Sequence, residues 1–125
     1  MTGIEVISSA VQNAKANAKR NGVENCTFVQ GDMLKVLNTD FVTRHGRPDI
    51  VIVDPPRSGM HPRVVKQLSE LRPDKLLYVS CNPRTQARDI ELLSGAWVAG
   101  PSHPVDMFPH THHVENVMLL TPDDK

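Results

Sequence analysis

The sequence predicts an α/β fold, a three-layer arrangement around a mostly parallel sheet, on three observations. Helix-like and strand-like segments alternate through most of the 125 residues. The most apolar segment, Ile50 to Val53, is an unbroken β-branched run, as expected of a strand covered on both faces. Two further strand-like segments, within "AWVAGPSHPV" and "HVENVMLLT", close the chain.

Each element has a local reason. "GIE" reads as the end of a strand. Ser8-Ser9 are placed to cap a helix that runs to about Arg20, where Asn21-Gly22 ends it. Ala10, Val11, Ala14 and Ala18 mark the packed face of that helix, and Lys19 and Arg20 suit its last turn. "CTFVQGD" reads as a strand, followed by one helix from Met33 to about Arg44 and a loop at "HGRP". "DIVIVDPP" is a strand stopped by two prolines. A helix from about Pro62 to Leu71 leads to the strand "KLLYVSC", and "PRTQARDIELL" forms a helix with Pro83 in its first turn.

Composition narrows the function classes. The length suits one domain with a modest core. No apolar run reaches the roughly 18 residues a membrane span needs, and the first residues lack the pattern of a secretory signal. Cys26 and Cys81 lie far apart and form no CxxC pair, which points to a reducing compartment, the cytoplasm. Net charge is zero, yet Arg57 to Arg88 holds seven Lys/Arg against Glu70 and Asp74. That window is either a set of solvated helix faces or a phosphate-facing patch.

Open α/β sheets bind ligands at the carboxyl ends of their strands. Glu5, Asp32, Asp54 and Cys81 each follow a predicted strand, so one edge is expected to receive three carboxylates and a thiol. Glu5 is suited to ribose hydroxyls, or is a surface charge near the terminus. Asp32 can accept from an exocyclic amine or cap the next helix. Asp54-Pro55-Pro56 aims a carboxylate into a crevice or forms a rigid turn. Cys81, at a strand-to-helix junction, reads as a small core residue, a metal ligand or a nucleophile. A helix N-terminus beside it favours the thiolate. His103, His110, His112 and His113 cluster near Glu115, but their spacing matches no compact zinc motif.

Three segments in order, "VDPPRSGMHPRVV", "LLYVSCNPRTQARDI" and "PVDMFPHTHHVENV", resemble the C-terminal signatures of the S-adenosylmethionine-dependent RNA 5-methyluridine (uracil-C5) methyltransferases. "GIEVISSAVQNAKANAKRNGVENCTFVQGD" is similar to that family's cofactor-binding segment. The resemblance covers Gly3 to Leu120 and implies a Rossmann-like class I methyltransferase fold. It implies S-adenosyl-L-methionine as cofactor and tRNA or ribosomal RNA as substrate. It places Cys81 on the family's nucleophile and Glu115 on its catalytic base. Glu5, Asp32 and Asp54 fall on positions around the cofactor's ribose, adenine and methionine parts, Asp32 being the least constant. No metal is implied.

Family members are longer, so residues 1–125 are expected to be a C-terminal fragment of the methyltransferase domain. The first strand, its glycine-rich loop and the RNA-binding domain are expected to be missing. Such a fragment is expected to be inactive alone, to bind cofactor weakly, and to dimerise or swap through exposed sheet edges. Three competing readings are an amino-group methyltransferase using the DPP motif, a non-catalytic module that binds RNA or a partner, and a zinc protein. Arg57 occupies the position where the first of these requires an aromatic residue.

Overall fold

The computed structural model describes residues 1–123 and divides into two compact units, Met1–Gly46 and a second beginning at Arg47. The first unit contains β1 (Thr2–Glu5), α1 (Ser8–Arg20), β2 (Thr27–Gln30), α2 (Met33–Val36) and α3 (Thr39–His45). β1 and β2 pair in parallel, with Glu5 opposite Gln30, and α1 forms the crossover. Val11 is the buried residue of α1, and Ala14 and Ala18 on the same face are half-buried. The helix closes on a Schellman turn: Val23 N–H bonds Ala18 O at 2.9 Å and Gly22, at φ 64°, bonds Lys19 O at 3.3 Å.

Two expectations fail in this unit. Ser8 is already helical, so Ile7 stands at the cap with no side-chain bond, and Glu5 Oε1 accepts its N–H at 2.7 Å. The single helix expected from Met33 is two. Asn38 interrupts it, with Oδ1 accepting Phe41 N–H at 3.0 Å and Nδ2 donating to Lys35 O at 3.0 Å. Asparagine offers the backbone these alternatives to a continuous helix.

The second unit contains β3 (Ile50–Val53), α4 (Pro62–Leu71), β4 (Lys75–Ser80), α5 (Pro83–Leu93), β5 (Trp97–Val105) and β6 (Glu115–Pro122). Its sheet has the order β3-β4-β6-β5. β3 and β4 are parallel, whereas β6 runs antiparallel to both β4 and β5, so the two late strands are where the parallel order ends. The cause is the connection. A parallel return needs a crossover of about a dozen residues or more, usually helical, whereas residues 106–114 carry no helix. β5 also bulges between Ala99 and Ser102, at Gly100-Pro101, where proline has no N–H to give the ladder.

Alternation along β4 decides which face is core. Leu76, Tyr78 and Ser80 are buried, while Lys75 is exposed and Leu77 and Val79 are half-buried. α4 contributes Val64, Val65 and Leu68 to the core; α5 contributes Gln86, Asp89 and Leu93. Each large aliphatic or aromatic side chain so buried is worth about 1.5–3 kcal/mol. That makes the two polar members of the α5 stripe the features that need an explanation.

Candidate active site

Asp89 is completely buried and its carboxylate is fully used. Oδ2 accepts from Tyr78 Oη at 2.7 Å and from Met60 N at 2.6 Å, while Oδ1 accepts from Arg88 Nε at 3.0 Å and Nη2 at 2.7 Å. Burial, then the bond to Asp89, raises the Tyr78 pKa far above its ordinary value, so the phenol is a permanent donor. Arg88 Nη2 also donates to Ser58 O at 2.9 Å. These bonds tie the loop after β3 to α5. Gly59, at φ 78°, is required there: an added Cβ would lie 2.6 Å from both Arg88 Nη2 and Asp89 Oδ2.

Gln86 and Asn116 make the matching tie on the other side. Gln86 Nε2 donates to Tyr78 O at 3.0 Å and Asn116 O at 3.3 Å, and Gln86 Oε1 accepts from Asn116 Nδ2 at 2.6 Å. Ser102 Oγ completes the chain by donating to Asn116 Oδ1 at 2.6 Å. α5, β4, β6 and β5 are thereby linked through satisfied buried polar groups.

Cys81 follows β4 directly and is half-buried. Its turn is locked on both sides. Ser80 Oγ accepts from Asn82 N and donates to Asn82 O, each at 3.1 Å, and Asn82 Oδ1 caps α5 by accepting Arg84 N–H at 3.3 Å. Asn82 Nδ2 and Thr85 Oγ1 both donate to Arg57 O, at 2.9 and 3.1 Å. The β4–β6 register ends with Ser80 opposite Asn116. Cys81 and Glu115 each lie one residue beyond that last pair, Cys81 just past the end of β4 and Glu115 at the start of β6. Because β6 is antiparallel, its first residue, Glu115, lies at the edge where β4 ends. Asp54, exposed, follows β3 at that same edge.

The four predicted strand-end residues therefore fall on two sheets. Asp54 and Cys81 share the carboxyl edge of the second unit with Glu115. Glu5 and Asp32 share the carboxyl edge of the β1–β2 pair, with Gly31 N–H bonding Glu5 O at 3.0 Å. Asp32 is the cap of α2, its Oδ1 accepting Leu34 N–H at 2.9 Å. Each of these carboxylates holds a backbone amide with one oxygen, and the second oxygen is of the right chemistry for a hydroxyl or amine of a nucleoside. These two acceptors are of the chemistry that the hydroxyls and amine at the nucleoside end of S-adenosylmethionine require. Among the described residues, no three His, Cys, Asp or Glu side chains gather to hold a metal ion.

Sequence reasoning missed Arg57 and His113 as partners. Arg57 Nη1 lies 2.7 Å from His113 Nδ1. The same Nη1 lies 3.5 Å from His113 Nε2, and because a guanidinium only donates, the ring is the acceptor. Loss of hydration, then Arg57 and His112, lower the His113 pKa, with Glu115 opposing them. By NMR, the His113 ring is expected to titrate below 6.5. Arg57→Met should move that midpoint upward without restoring it fully, because desolvation is the larger cause. A midpoint at or above the ordinary histidine value would refute the contact.

Comparison with known proteins identifies the fold and the family. The Pyrococcus abyssi tRNA (uracil-54, C5)-methyltransferase in complex with S-adenosyl-L-homocysteine superposes with a TM-score of 0.82 at 39% identity, over 96% of this chain and 28% of that one. The N-methyltransferase NodS of Bradyrhizobium japonicum, also with S-adenosyl-L-homocysteine, gives 0.71 at 14% identity, over 98% and 66%, a likeness of fold alone. The fold is that of the class I S-adenosylmethionine-dependent methyltransferases. Residues 1–123 match the tRNA (Uracil-5-)-methyltransferase family, and the chain belongs to it. Uncharacterized RNA methyltransferases of Porphyromonas gingivalis and Bacteroides thetaiotaomicron are 54% and 52% identical, each over 94% of this chain. The chain spans about a quarter (26%) of the length of those relatives.

Proposed function

We propose that the whole protein methylates C5 of a uridine in tRNA or ribosomal RNA through a covalent adduct to Cys81. The observation that supports this reading is that Cys81 and Glu115 each lie one residue beyond the last β4–β6 pair, Ser80–Asn116, at the carboxyl edge. S-adenosylmethionine, when bound, supplies the methyl group; Glu5 and Asp32 are the acceptors for its nucleoside part, and Asp54 serves at the edge that carries Cys81.

Uracil C5 is a weak nucleophile. Cys81 thiolate adds to C6, the C5–C6 π electrons move to O4, and the resulting enolate is electron-rich at C5. After C5 is methylated, Glu115 takes the C5 proton. The electron pair re-forms the C5–C6 double bond, the S–C6 bond breaks, and Cys81 leaves as thiolate. The base must be splayed from its stack, since both ring atoms are reached from the same side chains' edge. Asp89 and Gln86 act at a distance from the chemistry: they hold the loop and strand that present Asp54 and Glu115.

The test is intact-mass analysis of the full-length protein with S-adenosylmethionine and RNA carrying 5-fluorouridine. Fluorine replaces the proton that Glu115 removes, so a methylated adduct is expected to persist and to be absent in Cys81→Ala. An adduct that survives Cys81→Ala would move the nucleophile elsewhere.

A further inference from the structure

We propose that His113 is a positioning residue: held by Arg57, it fixes the segment that delivers Glu115 to the edge that carries Cys81. This rests on the roles proposed above for those two residues. Three observations carry it. Arg57 is a hub between the elements that bear them. Its carbonyl takes hydrogen bonds from Asn82 and Thr85, immediately after Cys81, and its guanidinium reaches His113, two residues before Glu115.

The second observation is that residues 106–112 are all exposed, so packing does not hold this connection. Among the described residues, the Arg57 bond is its one side-chain hydrogen bond to another element. The third is that the connection is hydrogen-bonded to itself at the point where it is held. Phe108 O accepts from Thr111 N at 2.9 Å and Thr111 Oγ1 at 3.0 Å, and Thr111 Oγ1 accepts His113 N–H at 3.1 Å. The ring of His112 lies against that of His113, with centroids 4.4 Å apart. Fixing one ring nitrogen of His113 therefore fixes the path into β6. The charged and titratable groups facing His113 are Arg57, His112 and Glu115; loss of hydration, then Arg57 and His112, favour the neutral ring, which can accept from the guanidinium.

A positioning role differs from a contact to RNA in which step it slows. The full-length protein is compared with His113→Ala and with His113→Asn, whose side-chain carbonyl sits near the place of Nδ1. Capture of 5-fluorouridine RNA, which depends on Cys81, is expected to change little in either variant. Turnover on uridine RNA, which also needs Glu115, should fall on the order of 100-fold in His113→Ala, the scale of a catalytic group misplaced by about 1 Å. Methylated protein–RNA adduct should then accumulate. His113→Asn should recover most of the turnover. Hydrogen exchange of the peptide covering residues 106–118 in the same protein should quicken in His113→Ala and return in His113→Asn. Capture and turnover falling together, an Asn variant as poor as Ala, or unchanged exchange would each overturn the proposal. If the unsubstituted protein forms no adduct, the adduct chemistry fails, and the exchange comparison alone decides whether His113 holds this segment.

Discussion

Asp89→Ala should cost the chain about 3–5 kcal/mol, the scale of breaking a buried ionic network by removing one partner. The loss is concentrated in two groups. Tyr78 is 0% exposed and its hydroxyl would lose the acceptor at 2.7 Å, while the Met60 amide would lose its acceptor at 2.6 Å. Hydrogen bonds to a charged group contribute about 1.5–3 kcal/mol each, so these two account for the total. The Arg88 bond adds less, because that side chain is 51% exposed and solvent screens the pair. Against a total stability of about 5–15 kcal/mol the loss is large.

Trp97, the single tryptophan, is buried in the second unit and reports its unfolding in urea. Tyr78→Phe keeps the ring and removes one donor, so its midpoint is expected between those of the parent chain and Asp89→Ala. The pH dependence has a definite sign. The Tyr78 pKa is raised in the fold, so its contribution is intact below the ordinary phenol value near 10 and is lost as pH rises above it. Tyr78→Phe should lack that alkaline loss. An Asp89→Ala midpoint no lower than that of Tyr78→Phe would show that the carboxylate is not the anchor.

That network also shows what a sequence withholds. α4 and α5 were legible to the residue because proline marks their first turns and apolar side chains recur at helical spacing. Asn38 breaks α2 from α3 inside a stretch whose apolar pattern continues on both sides, and a side-chain cap leaves no mark on that pattern. The direction of β6 is likewise not written in "ENVMLLT"; the length of the connection before it decides. Cys81 drew notice because it stands at a strand-to-helix junction. Glu115 came from resemblance alone, since what brings it to the edge where β4 ends is a cross-strand register between distant segments. Gln86, Asp89 and Leu93 did carry a signal, a three-and-four spacing on one helix face. Polar residues on such a face read as solvent-exposed until the partners Tyr78, Met60 and Asn116 are in place to satisfy them.

Glu115→Gln should separate the two halves of the proposed reaction. Glutamine keeps the shape of the side chain and the strand it starts, but it accepts no proton at the pH of the assay. Cys81 is untouched by the change, so addition to C6 and methylation at C5 remain open to the full-length protein. Removal of the C5 proton does not. General-base catalysis is typically worth about 100- to 10,000-fold, and turnover on uridine RNA is expected to fall by that factor. The covalent methylated complex should then persist on natural uridine RNA, with no fluorine needed to trap it, and be seen by intact mass under denaturing conditions. Cys81→Ala combined with Glu115→Gln should show none. Loss of the complex in Glu115→Gln alone would mean that the carboxylate acts before or during thiolate attack. In that case Glu115 would serve to activate Cys81, and the proton at C5 would need another acceptor.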